Sequence, residues 1–210
     1  MTLAILGTGG HAKSVYDIIK NRKKIDFFDK KSKLFEVEKK KFNVKADNLL
    51  INSHKKKNHK VIVAIGNNEI RKKNFEILKK KKFNFATLIH PKSYCSIGVR
   101  VGEGSVIMQG SLINTDTEIG RNCIINTSSS IDHDCLIKDH THVCPGVIIA
   151  GNVKIGKKCW IGLGSKIIQN CVIGDNVFIA AGAVVTKNIK SNSFVKGIPA
   201  KYARKKLAKL

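Results

Sequence analysis

Proline, tryptophan and acidic side chains are all scarce in this chain: 210 residues contain three Pro, one Trp, and 15 Asp and Glu against 39 Lys and Arg. No run of about 18 apolar residues occurs, which excludes an ordinary membrane-spanning helix. Residues 2–6 are apolar but pass straight into glycines instead of a signal-peptide core. The expectation is a soluble, cytoplasmic protein with no membrane partner. Cysteines stand at 95, 123, 135, 144, 159 and 171 without a CxxC pair, so neither a disulfide framework nor a zinc site is expected. The shortage of acids leaves a net charge of +24, which at first suggests nucleic acid. Arginine, however, is confined to Arg22, Arg71, Arg100, Arg121 and Arg204, and the few aromatics do not interleave with the lysines. Bidentate phosphate contacts and stacking platforms are therefore missing, and no nucleic-acid partner is expected. The lysine excess reads as solvated surface that attracts small anions.

What the chain has instead is a period of six. Every sixth residue from Val101 through Ile107, Ile113, Ile119 and onward to Val185 is Val or Ile. Helices repeat every 3.6 residues and strands every two, so neither produces this pattern. Two residues before each aliphatic the side chain is small, as at Ser105, Ser111, Thr117, Cys123, Cys135, Cys159 and Cys171. The cysteines in that phase read as core filler. Gly102, Gly120, Gly156, Gly162 and Gly174 follow the aliphatics directly, with Asn114 and Asn126 in phase, and read as residues for tight or left-handed corners. Three hexapeptides make one triangular coil, so residues 18 apart stack at about 4.8 Å. The ladder from 101 to 190 holds five coils of a parallel β-helix. Its hand does not follow from periodicity. The pattern resembles that of hexapeptide-repeat acyltransferases, which implies a left-handed coil and, commonly, a homotrimer with active sites between subunits. A purely structural solenoid is the bland alternative.

Ahead of the repeat, residues 2–6 read as a strand, followed by Gly7-Thr8-Gly9-Gly10-His11-Ala12 and a helix from Lys13 to Asn21. A second strand spans residues 25–28 and ends in Asp29. Gly7, Gly9 and Ala12 fit the G-x-G-x-x-A nucleotide fingerprint, with Asp29 where a ribose-binding acid belongs. A Lys-rich stretch then reads as surface loop, before a strand at 61–65, a turn at 66–68 and a helix from Glu69 to Lys82. About 85 residues hold one half of a doubly wound domain, which suits a mononucleotide diphosphate better than a dinucleotide. The fold class is thus an α/β half-Rossmann βαβ domain (residues 1–89), a left-handed parallel β-helix (90–198) and a basic tail or short helix (199–210).

One hexapeptide differs from its neighbours: Ile131-Asp132-His133-Asp134-Cys135-Leu136 sets a histidine between two carboxylates. A carboxylate that accepts from one imidazole nitrogen raises the basicity of the other, as a general base requires. One coil on, residue 151 is glycine, whose backbone N–H is a donor of the kind an acyl-transfer oxyanion needs. Asp139-His140-Thr141-His142 has no marked third ligand, so no metal is expected; His142 reads as an acyl-CoA contact and His140 as surface. His11, His54, His59 and His90 read as solvent or loop residues, with His11 raised by its place in the glycine loop.

Together these stretches resemble the bacterial sugar O- and N-acetyltransferases of the NeuD and PglD type. The resemblance runs over almost the whole chain: Gly7–His11, residues 64–71, Asn126–Ser129 leading to His133-Asp134-Cys135, residues 150–156, and Gly197-Ile198-Pro199-Ala200-Lys201. It implies acetyl-CoA as co-substrate and a nucleotide-linked sugar as acceptor, the 4-amino group of a UDP-linked dideoxy sugar in the PglD type. It also implies His133 as base, Asp134 raising its basicity and Asn126 placing the amine. Gly151 and His142 would hold the thioester, with Leu163 and Ala181 along the pantetheine path. Gly9, Gly10, His11, Asp29, Lys30 and Gly66 would contact the sugar nucleotide. One departure is Lys30, where the PglD type has a second consecutive acid, which leaves the nucleobase open. O-acetylation of a sialic acid is the first rival reading, and a non-catalytic nucleotide-binding scaffold the second.

Overall fold

The computed structural model describes residues 2–21, 24–52 and 59–204. Its N-terminal part is a six-stranded sheet in the order β3-β4-β2-β1-β5-β6, formed by β1 (Thr2–Leu6), β2 (Ile25–Asp29), β3 (Lys33–Val37), β4 (Lys40–Ala46), β5 (His59–Val63) and β6 (Asn84–Phe85). All neighbours are parallel except the β3/β4 pair. Helix α1 (Gly10–Ile19) buries Ala12, Val15, Tyr16 and Ile19, the single stripe that spacing of three and four residues makes on a helix. Helix α2 (Asp47–Ile51) buries Leu50. Helix α3 (Asn68–Lys80) is capped by Asn67, whose side chain accepts from Ile70 N at 3.0 Å. Glu69 in its first turn and Lys79 and Lys80 in its last suit the helix dipole.

The Lys-rich stretch is not the surface loop its composition suggests. Residues 33–46 form the β3–β4 hairpin, which buries Phe35, Val37 and Val44 on one side and turns lysines to solvent on the other. Its two turn residues, Glu38 and Lys39, both have positive φ (47° and 61°), a turn geometry usually announced by Asn or Gly. The sequence therefore carried no turn signal. Residues 53–58 of the same stretch lie outside the described residues.

From Leu88 onward the chain winds into a parallel β-helix. Leu88, Val106, Ile124, His142, Trp160 and Phe178 stand in one register column, and two further columns make the other faces. The regular ladder therefore reaches beyond 101–190 at both ends, from Leu88–Ile89 to Phe194–Lys196, the last coil being two residues shorter. Lys201–Tyr202 folds back antiparallel on that last strand. The period-six aliphatics point inward and are almost all fully buried, each contributing about 1.5–3 kcal/mol. Cys123, Cys135, Cys159 and Cys171 fill the same interior, and all six cysteines are unpaired.

The glycines play a different part from the one their phase suggested. The left-handed corner residue is the third beyond each aliphatic, for example Gly104, Gly110, Asp116, Asn122, Ser128, Asp134, His140 and Asn152. Gly102 and Gly162, by contrast, are needed because a Cβ there would lie 2.4–2.6 Å from the backbone of the next coil. The N-terminal domain rests on the face bearing Leu88, Val106 and His142, sharing one core with it through Leu3, Ile5, Val15, Ala86 and Met108. Among the described residues, no helix is long and apolar enough to cross a membrane.

Candidate active site

The prism has three edges, and the one between the second and third faces carries the odd hexapeptide. His133 precedes the left-handed corner residue Asp134, whose φ of 57° swings its carboxylate back toward the ring. Nδ1 of His133 lies 2.7 Å from Oδ2 of Asp134. A carboxylate only accepts, so Nδ1 carries the proton and Nε2 keeps its lone pair. This bond, opposed by slight desolvation and helped by Asp132, raises the His133 pKa above the ordinary histidine value. One coil on, a Cβ at residue 151 would lie 2.6 Å from Cε1 and Nε2 of His133, so glycine there leaves the imidazole its room. His133, Asp134 and Gly151 therefore form one cluster, as the 18-residue spacing requires.

A second cluster lies where β1 and β5 end. A cleft of about 530 Å³ is lined there by Gly9, Gly10, His11, Asp29, Lys30 and Gly66. Gly7, at φ 113°, allows the turn out of β1; a side chain would strike Ala64 O at 2.8 Å. Helix α1 begins at Gly10 with no side-chain cap, and Gly9, Gly10 and His11 at its start line the cleft. The Asp29 carboxylate accepts from the Thr8 hydroxyl, from Lys33 at 3.0 Å and from Lys30 N at 2.8 Å. Burial pushes its pKa up, but these three partners outweigh it and hold the carboxyl below its usual range.

Between cleft and β-helix lies Arg71, 1% exposed, which the sequence reading left without a role. It donates to Asn122 O (3.0 Å), Ile65 O (3.2 Å), Gly66 O (2.9 Å), Asn68 Oδ1 (2.8 Å) and His140 O (2.9 Å). It thus ties the cleft wall to two successive coils. Its only sequence signal is that it is the sole arginine in a helix otherwise rich in lysine.

The other histidines correct the expectation of solvent or surface positions. His140 is buried against Phe75 and Asn122, because the N-terminal domain covers its corner. His90 is buried too, with Nε2 3.1 Å from Asp17 on α1. His54 and the side chain of His59 lie outside the described residues. The His11 pKa is pushed down to about 3 by burial and then by Arg71, and among the described residues its Nε2 has no hydrogen-bond partner. His142 is likewise pushed to about 3 by burial, then by Arg71 and His11, and packs edge-on against Trp160.

Asn126 stands with His142, its Nδ2 3.1 Å from the ring Nε2, and not with His133. Leu163 and Ala181 are exposed on the same edge as Asn126, which a whole face separates from the His133 edge. One chain does not unite the two. The buried thiols Cys123 and Cys144 are pushed up to about 12, chiefly by desolvation, and stay protonated. Among the described residues, no three His, Cys, Asp or Glu side chains group to hold a metal.

A nucleotide-type cleft docked on hexapeptide coils, with an imidazole and carboxylate on an exposed edge, defines an acyltransferase class of fold. Comparison narrows the class. Residues 2–78 match the PglD N-terminal domain, and residues 152–187 match the bacterial transferase hexapeptide with six repeats. The acetyltransferase domain of PglB from Neisseria gonorrhoeae is 33% identical, covering 96% of this chain and 99% of that one, with a TM-score of 0.90, and was also solved with acetyl coenzyme A. A variant of perosamine N-acetyltransferase from Caulobacter crescentus, in complex with CoA and GDP-perosamine, is 30% identical over 98% of both chains, with a TM-score of 0.90. UDP-N-acetylbacillosamine N-acetyltransferase of Bacillus subtilis is 34% identical over 109 residues. That match spans only half the length of the relative and half of this chain. The chain belongs to the PglD-type family of sugar acetyltransferases, and its coils are those of the left-handed hexapeptide β-helix.

Proposed function

We propose that this protein transfers the acetyl group of acetyl-CoA to the 4-amino group of a nucleotide-linked, UDP-type amino-dideoxy sugar, in the cytoplasm. The observation that carries the reading is the His133–Asp134 pair lying against Gly151. Nε2 of His133 takes a proton from the sugar amine as the nitrogen attacks the thioester carbonyl. The Gly151 N–H stabilises the oxyanion; collapse then expels CoA as thiolate, which recovers the proton from the imidazolium. No acyl-enzyme and no metal take part. The cleft residues Gly9, Gly10, His11, Asp29, Lys30 and Gly66 hold the nucleotide sugar.

His142 holds the thioester, Leu163 and Ala181 line the pantetheine path, and Asn126, on the same edge, places the amine. Because that edge is a face away from His133, the working site pairs the His133 edge of one subunit with the Asn126 edge of the next, as in a homotrimer. Sedimentation at the mass of a single chain would sink the intersubunit site. The names of relatives include both UDP- and GDP-linked sugars, so UDP is the finer part of the proposal. His133→Ala should lower kcat by about 10²–10⁴ on a UDP-4-amino sugar, followed as CoA release. Near-normal turnover of the folded variant would remove His133 from the mechanism.

A further inference from the structure

The corner amides along the His133 edge are not all alike. Asn114 Oδ1 accepts from Thr115 N at 3.1 Å, and one coil later Asp132 Oδ1 accepts from His133 N at 2.9 Å. Asn114 Nδ2 also donates to Asp132 Oδ1 at 2.9 Å, so the two side chains begin a ladder along the outside of the edge. The burial of charge is slight here, and accepting from two N–H donors holds the Asp132 carboxyl below its usual range. The next rung, 18 residues on, is residue 150. It is alanine.

A methyl group accepts nothing. Along this edge the corner N–H groups of Thr115 and His133 are engaged by the side chain just before them, whereas those of Ile97, Gly151 and Gln169 donate to no backbone or side-chain acceptor among the described residues. Residue 151 is also the one against which the His133 ring lies. Two consecutive choices thus act on one amide: glycine at 151 admits the imidazole, and alanine at 150 withholds the local acceptor that would occupy the N–H.

We propose that Ala150 is a positioning residue, which keeps the Gly151 N–H free for the oxyanion by ending the Asn114–Asp132 ladder one rung short of it. The inference rests on His133 and Gly151 being the site of acetyl transfer. It accounts for where the side-chain ladder ends: the rungs beyond Asp132 are Ala150 and Ile168, neither of which carries an acceptor. Among the described residues, it ends beside the one histidine bonded to its own neighbouring carboxylate.

The test is Ala150→Asn beside Ala150→Leu, a side chain of similar size without an acceptor. Both are assayed by CoA release, with thermal melting of each protein. Ala150→Asn should lower kcat by about 10²–10³, the cost of losing one oxyanion donor, with KM for the nucleotide sugar unchanged and Tm no lower than that of the parent. Ala150→Leu should cost far less. Equal losses in the two variants would reduce position 150 to a matter of size and overturn the proposal, as would full activity in Ala150→Asn. If the unaltered chain releases no CoA with either UDP- or GDP-linked amino sugars, the acetyl-transfer reading itself falls, and the proposal with it.

Discussion

His133 and His142 have the same side chain in two opposite settings. His133 sits on an exposed edge, bonded to a carboxylate, with its pKa raised. His142 sits under the N-terminal domain, in reach of the Arg71 guanidinium and of His11, with its pKa driven to about 3 chiefly by burial. The first holds a proton more readily than an ordinary histidine, and the second is kept neutral. A β-helix column therefore does not assign chemistry by sequence spacing alone. What covers each edge decides whether an imidazole is a base or a fixed dipole.

The larger of two effects that probe this contrast is on stability. His11 and His142 titrate near 6.5 in the unfolded chain but near 3 when folded, so below about pH 6.5 the unfolded state binds protons the folded state refuses. Stability is complete above that pH and is lost as the pH falls toward 3. Denaturant unfolding at pH 7, 6 and 5 should show a loss approaching about 1.4 kcal/mol per pH unit for each of the two histidines. His142→Gln should roughly halve the part of that slope the pair produces; a slope that does not change would mean that His142 is not held neutral. The smaller effect is on activity. Asp134→Asn removes the partner that raises His133, so the acid limb of kcat/KM should move to lower pH, together with a fall in kcat. A limb that stays in place would assign it to another group.

The β-helix was legible because each coil repeats the same local demand: an inward aliphatic, a small neighbour and a corner. Any one repeat is weak, but many in phase admit one architecture. The dyad was legible for the same reason, since a stacking distance of 18 residues places Gly151 beside His133 without further information. The β3–β4 hairpin was not legible, because lysines on its outer side obscured the alternation of Phe35, Val37 and Val44, and Glu38-Lys39 is a turn without turn residues. Burial of His90, His140 and His142 was beyond sequence pattern altogether. It depends on which face of the prism the N-terminal domain covers, and no periodicity inside the coils carries that choice. Arg71 belongs to the same class: its bonds run to Asn122 and His140, far along the chain, and lysines surround it in sequence.

Arg71 also constrains the order of assembly. A solenoid can nucleate at any coil and grow by nearest-neighbour addition, with each rung judged only by the one before. The guanidinium cannot be stripped of water at an equally early stage, because two of its acceptors exist in place only after the coils containing Asn122 and His140 have closed. The N-terminal domain can therefore dock with Arg71 fully satisfied only on coils that are in register. A slipped coil would leave a buried cation without two of its acceptors, so the residue that shapes the cleft wall also ties its own satisfaction to the register of the β-helix beneath it.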